Sequence, residues 1–305
     1  MKIIKTILHK GEWLLDALKR VSCNMIPTNT ILNKTLTGLG ATHSEIHSKR
    51  NSIIIEPNVP VILGKLNENE NLEAVYEKCT PYKIEKYLKM DIPYKKIITT
   101  PESFPKIRKA ARKLNINIYK EYFCLFDECE KLTQDVDYRR KISQPIYDFF
   151  QFEQKAFVSA TPLEMSHPEF ERQDFQLIRI VPDYDYKKDL ELIVTNSYYK
   201  RLRIVLHICI FFNVTDGIAD LIGNLGVTDY KVFCSQQSVN KLKKRGLVNA
   251  YSQIDYPLAK YNFFTCRFYS ALDIRIGRYK PDILMLTDLR IAQWTMIDPF
   301  TEAIQ

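Results

Sequence analysis

Tyr122-Phe123-Cys124-Leu125-Phe126-Asp127-Glu128-Cys129-Glu130 joins an uninterrupted apolar run to two adjacent carboxylates. An apolar run without alternation reads as a strand buried on both faces, the habit of parallel sheets covered by helices. Asp127 and Glu128 then stand at the carboxyl end of that strand, where open α/β sheets bind their ligands. In that position the first carboxylate can hold magnesium, directly or through water. The second can orient and deprotonate an attacking water. The same pair also suits a helix N-terminus, where acidic side chains favour the dipole.

Outward from this stretch the same grammar recurs. Ser52 to Ile55 (SIII) runs into Glu56-Pro57, Lys96 to Thr99 (KIIT) into Thr100-Pro101, and Ala156 to Ser159 (AFVS) into Ala160-Thr161-Pro162. Helical patterns such as Pro105 to Leu114 (PKIRKAARKL) lie between the runs. A second series follows the Pro/Asp/Tyr-rich stretch Val181 to Lys188, with apolar runs at Arg203 to Phe212, Tyr230 to Phe233, Tyr261 to Thr265 and Pro281 to Leu286. The expectation is two α/β domains in tandem with mainly parallel sheets, the first over residues 1–182 and the second over 190–305.

Two further segments carry chemistry. Thr37-Gly38-Leu39-Gly40-Ala41-Thr42 follows a possible strand at Thr30 to Leu36. Glycines let backbone N–H groups wrap phosphates, a lysine neutralises them, and a Ser/Thr hydroxyl meets magnesium. The lysine position holds Ala41, and taken alone the stretch fits an ordinary glycine turn better than a phosphate loop. Lys34, just before the loop, reads as a solvated strand-edge lysine, the alternative being that it substitutes for the absent loop lysine. Ser159-Ala160-Thr161 follows its own apolar run and fits either a coupling loop or a plain polar turn. His43 and His47 stand four residues apart but do not make the His-Glu-x-x-His pattern of a metal pair.

Taken together in this order, the segments resemble those of superfamily 2 helicases, the DEAD-box-like ATPases. The resemblance covers about residues 25–305. It implies two RecA-like P-loop domains in tandem. The Thr37–Thr42 segment is similar to the phosphate loop, Asp127 to Glu130 to the Asp-Glu box, and Ser159 to Thr161 to the motif coupling hydrolysis to domain movement. It implies ATP with magnesium at Thr42 and Asp127, catalytic roles for Asp127, Glu128, Ser159 and Thr161, and contacts to the nucleic-acid backbone by Pro57, Thr100 and Pro101. In the second domain, Val232 to Gln237 resembles the first strand and its loop. Thr265 resembles a nucleic-acid contact, and Asp273 a residue near ATP. The sequence ends on Gln305 at what resembles the start of a Gln-x-x-Gly-Arg motif, so the second domain is expected to be incomplete at its C-terminus. Ala41 and the missing arginines imply weak or absent hydrolysis. The implied partner is nucleic acid, single-stranded or an unwinding duplex. The alternatives are a non-catalytic nucleic-acid-binding or scaffold protein, and a nucleotide-triggered protein-interaction module.

Composition bounds these readings. The 305 residues are 46% hydrophobic and 26% charged, which excludes a disordered or collagen-like chain. No apolar run reaches the ~18 residues of a membrane-spanning helix, and the lysine-bearing N-terminus lacks the pattern of a signal peptide. A membrane partner is not expected. Seven cysteines without a Cys-x-x-Cys pair argue against a zinc site or disulfide framework and for reduced thiols in a cytoplasm. The net charge of +8 is mild and shared between the two halves, so it is compatible with a polyanion partner without identifying one.

Overall fold

The computed structural model describes residues 1–66, 69–134, 143–162, 167–186, 191–195, 208–269, 274, 281–291 and 295–297. The chain divides into two units, Met1–Tyr186 and 187–303. Asp273, His207, the basic run 139–141 and the C-terminal segment 298–305 lie outside the described residues.

The first unit is built on strands β1 (Lys2–Leu8), β2 (Thr30–Asn33), β3 (Ser52–Ile55), β4 (Leu72–Val75), β5 (Lys96–Thr99), β6 (Phe123–Phe126), β7 (Gln154–Ser159) and β8 (Gln176–Pro182). They form one eight-stranded sheet in the order β1-β8-β2-β7-β6-β3-β5-β4, with every pairing parallel. Strand period explains its two-sided core. Ile53, Ile55, Cys124, Phe126 and Phe157 join one buried cluster, and their chain neighbours Ile54, Phe123, Leu125, Ala156 and Val158 join the other. Helices cover both faces, as an all-parallel sheet requires. The sheet also contains the four apolar runs read from sequence. The possible strand at Thr30 to Leu36 is shorter: it ends at Asn33, because Thr35 turns the chain with a φ of +58°.

β7 and β6 lie between β2 and β3. The chain therefore skips two places after β2 and fills them later. That reversal of strand order is the topological switch point at which open α/β sheets form their ligand crevice. The loops after β2, β6 and β7 all emerge there, on one edge of the sheet.

The second unit carries β9 (Ile208–Phe211), β10 (Tyr230–Phe233), β11 (Ala250–Tyr251), β12 (Tyr261–Phe264) and β13 (Asp282–Met285) in the order β11-β10-β12-β9-β13, again all parallel. Val232–Gln237 is thus not the first strand of this unit with its loop. β9 precedes it, between β12 and β13 in the sheet, with Ile208 and Ile210 buried in the core. Ser235 caps the helix Gln236–Lys244, its hydroxyl accepting the Ser238 N–H at 3.1 Å.

A polar cluster below the phosphate-loop-like segment ties its helix to the first sheet. Glu45, on the helix Ala41–Ile46, is 1% exposed and accepts from Arg50 at 2.5 and 2.9 Å and from the Ser52 hydroxyl at 2.5 Å. Lys96 donates to the Glu45 carbonyl at 2.7 Å and to the Ser48 and Ser52 hydroxyls. Removing one member of such a set leaves buried charge uncompensated. Glu45→Ala is therefore expected to cost the first unit roughly 3–5 kcal/mol. Urea unfolding followed by tryptophan fluorescence and circular dichroism checks this, and a loss under about 1 kcal/mol, the worth of a surface pair, would show that the cluster is peripheral.

Candidate functional site: a carboxylate centre at the edge of the first sheet

The loop after β2 is bent by glycine. Gly38 and Gly40 hold φ of +70° and +79°, which side chains with a Cβ rarely adopt. A Cβ at Gly40 would also press on the Trp13 ring at 3.3 Å. The loop therefore closes tightly onto the helix that begins at Ala41. Ala41 and Thr42 are buried, Leu39 packs into the core, and Thr37 is half-buried.

Asp127 extends the β6 ladder by one residue, its N–H donating to the Ile55 carbonyl at 3.0 Å. Glu128 then breaks it with a φ of +48°. A left-handed backbone at a non-glycine residue is strained and is retained where surrounding contacts fix it. Those contacts are visible. Asp127 Oδ1 accepts the Glu128 N–H at 2.9 Å, and the Lys34 ammonium donates to Glu128 Oε1 at 2.8 Å and Asp127 Oδ1 at 3.3 Å.

This arrangement corrects the sequence reading of Lys34. It is 5% exposed and faces the carboxylates, not solvent. Burial works against its charge, but Asp127 and Glu128 outweigh burial and hold the ammonium above its ordinary pKa. Lys34 lies one residue past β2, and its N–H donates to the Ser159 carbonyl at 2.9 Å, so β7 fixes its backbone. The signal in the sequence was the loop itself: a phosphate-loop pattern without its lysine, with one lysine at its threshold.

A fourth member was also missed. Glu56, directly after β3, is fully buried, and its Oε1 lies 2.8 Å from the Thr42 hydroxyl. The same hydroxyl lies 2.5 Å from Asp127 Oδ2. A hydroxyl has one proton to donate, so one of the two carboxyls must bring its own. Burial and the nearby Asp127 charge push Glu56 up to about 8, against the opposing pull of Thr42 and Lys34. Glu56 is therefore the protonated partner at neutral pH: it donates to Thr42, and Thr42 donates to Asp127. Glu56 Oε2, also buried, has no hydrogen-bond partner.

The remaining expected residues fall around this centre. Ser159 is fully buried, and its hydroxyl accepts the Thr161 N–H at 2.9 Å, which folds the Ser-Ala-Thr turn onto itself. Pro57, Thr100 and Pro101 follow β3 and β5 at the same sheet edge, but all three are buried. In the second unit Thr265 is buried at the end of β12, its hydroxyl donating to the Phe233 carbonyl at 3.4 Å. His43 and His47 lie with rings 4.2 Å apart. Among the described residues no group of three or more His, Cys, Asp or Glu side chains is placed to hold a metal ion.

No family model matches the chain, and no curated protein matches it. Solved structures do. The chain is similar to a variant of S. cerevisiae Dbp5 bound to Gle1 and IP6, with 14% identity over 81% of this chain and 67% of that one, at a TM-score of 0.51. A variant of the same yeast protein bound to RNA and ADP BeF3 shares 13% identity over 80% of this chain and 67% of that one, at 0.48. A hypothetical ATP-dependent RNA helicase from Sulfolobus tokodaii shares 12% over 81% and 76%, at 0.33. The first likeness, with the two parallel sheets, shows the fold: tandem RecA-like α/β domains. No helix among the described residues is long and apolar enough to cross a membrane.

The protonated Glu56 has a consequence for stability. Between its unfolded value near 4.5 and its folded value of about 8, the folded chain binds one proton more than the unfolded chain. Stability from this group is therefore complete below about pH 4.5 and is lost as pH rises toward 8. Glu56→Gln keeps a donor toward Thr42 and cannot ionise. Urea midpoints from pH 6 to 8.5 should fall more steeply for the unmodified chain than for Glu56→Gln, and parallel profiles would refute the protonated assignment.

Proposed function

We propose that the chain is a helicase-like, nucleic-acid-associated ATPase homologue whose own ATP turnover is slow or absent. The observation that carries this reading is the meeting of three loops, after β2, β6 and β7, at the switch point of one parallel sheet, where Lys34 joins Asp127 to Glu128 and Thr42 bonds Asp127 directly. The reading gives the Thr37–Thr42 loop to the phosphates of ATP, and Glu128 to the attacking water.

Two features support the slow rate. Ala41 brings no charge to the phosphates, and electrostatic stabilisation of the transition state is usually the largest catalytic term. The ammonium nearest the loop is already bound to the carboxylate that would handle water. The second reading, a nucleic-acid-binding or scaffold protein that keeps the fold without turnover, is favoured by the same Lys34 contact, and it differs only in whether any hydrolysis remains.

Nucleic acid is the partner of this reading. Pro57, Thr100, Pro101 and Thr265 mark the edges where it would lie. Because their side chains are buried, contact there would run through backbone groups and neighbouring side chains and would read phosphate and sugar more than bases.

Three measurements test the proposal. Steady-state phosphate release from the 305-residue chain should stay near background with and without single-stranded nucleic acid. Ala41→Lys should tighten ATP binding, because that charge also meets the ground state, while raising turnover little. Strand affinity should fall steeply as salt rises from about 50 to 200 mM, with little dependence on sequence. Robust, strand-stimulated release that Glu128→Gln abolishes would overturn the slow-turnover reading. No strand binding at about 50 mM salt, where phosphate contacts are strongest, would remove nucleic acid as the partner.

A further inference from the structure

We infer that Lys34 is the resident cation of this centre: its ammonium occupies the Asp127–Glu128 carboxylate pair in the role the helicase resemblance gives to magnesium, and the chain takes no divalent metal there. The inference concerns the centre named in the proposed function and rests on that reading only for the expectation of magnesium.

The argument is one of acceptor capacity. Each carboxylate oxygen offers about two lone-pair directions. Asp127 Oδ1 uses both, on the Lys34 ammonium and on the Glu128 N–H. Asp127 Oδ2 accepts the Thr42 proton at 2.5 Å. Thr42, the second expected ligand, is held on its other side by Glu56 at 2.8 Å. Glu128 Oε1 is bound to Lys34 at 2.8 Å. The two expected ligands are thus bonded to each other, and an ammonium from within the chain already sits between the two carboxylates.

Magnesium asks for something different. It requires near-octahedral oxygen ligands at 2.0–2.1 Å and gives up its water reluctantly. To enter, it would have to displace an ammonium that is 5% exposed or share Asp127 with it at close range. A displaced Lys34 would need another buried acceptor, because β2 and the Ser159 carbonyl fix its backbone. The missing lysine at position 41 and the buried lysine at position 34 then form one substitution. The positive charge has moved from the start of the helix to the end of the strand, where it meets the carboxylates of the chain itself.

The test needs neither nucleotide nor nucleic acid. Thermal unfolding of the full chain is followed with manganese chloride or with EDTA, for the unmodified protein and for Lys34→Met. The unmodified midpoint should move by less than about 1 °C. Lys34→Met should melt roughly 5–15 °C lower in EDTA, as a broken buried pair does. Manganese at about a hundred times its dissociation constant should return roughly 5–10 °C to the variant, and Asp127→Asn in the Lys34→Met background should remove that gain. A manganese shift in the unmodified chain as large as in the variant overturns the inference, as does a folded Lys34→Met that gains nothing. If Lys34→Met does not fold, the unmodified chain decides alone. The side-chain ammonium resonance of Lys34 should then remain sharp in manganese, and paramagnetic broadening beyond that of exposed lysines overturns the inference. Failure of strand binding or of ATP binding would dismiss the proposed function and leave these outcomes intact.

Discussion

Two carboxylates buried side by side at the end of a strand need a counter-charge, and the first unit is arranged around supplying it. Asp127 and Glu128 are 4% and 2% exposed. Burial of that kind is tolerated only when the charges are paired and hydrogen-bonded. Lys34 provides the charge, Thr42 and the Glu128 N–H provide hydrogen bonds, and Glu56 stays neutral so that the anionic count does not grow. Each contributor comes from a different strand end, β2, β3 or β6, or from the helix that follows β2. The order β2-β7-β6-β3 is what brings them within reach, so topology and electrostatics constrain each other here.

The sheet was legible in the sequence for a simple reason. Parallel strands buried on both faces are short unbroken apolar runs, and SIII, KIIT, FCLF and AFVS stand out between polar turns. The positions of Asp127, Thr42 and Ser159 followed, because a residue after a run lies at the strand end. What the sequence hid was direction. Lys34 and Glu56 also follow apolar runs, but a charged residue at a strand end is ordinarily solvated, and nothing local shows that these two turn inward to each other's neighbours across long stretches of chain. Lys96 is a similar case. It opens an apolar run and is nonetheless buried, because Glu45, Ser48 and Ser52 accept its protons. The second unit was read less well. Its first described strand, β9, lies within a longer apolar stretch, Arg203 to Phe212, whose start and type the pattern left open, so Val232–Gln237 passed for the first strand.

Two buried polar clusters among the described residues of the first unit divide the work of positioning the helix Ala41–Ile46. Glu45, Arg50 and Lys96 anchor the base of the helix Ala41–Ile46 to β3 and β5, with Arg50 also covering the Phe123 ring at 3.3 Å. The Thr42, Asp127 and Lys34 set holds the top of the same helix to β6 and β2. A helix of six residues has little stability of its own, and it is the pair of clusters that fixes it. The loop glycines then set only the path between β2 and the helix.

The place of the cation decides what the centre can do. A lysine at the start of the helix would point its charge out of the loop, toward whatever the loop holds. A lysine at the end of β2 points into the sheet edge and meets Glu128 first, at 2.8 Å. Preorganised charge accelerates a reaction only when it is aimed at where charge develops in the transition state. Here it is aimed at Glu128, the side chain that the proposed reading gives to the attacking water. For that Glu128 oxygen to orient an attacking water it would have to release Lys34, and both partners are buried, so release would strand an uncompensated charge. The contact that makes the carboxylate pair tolerable in the fold is thus the contact that would restrain it as a catalyst on the proposed reading. On the proposed reading, the same ion pair that assembles the centre would also keep its turnover low.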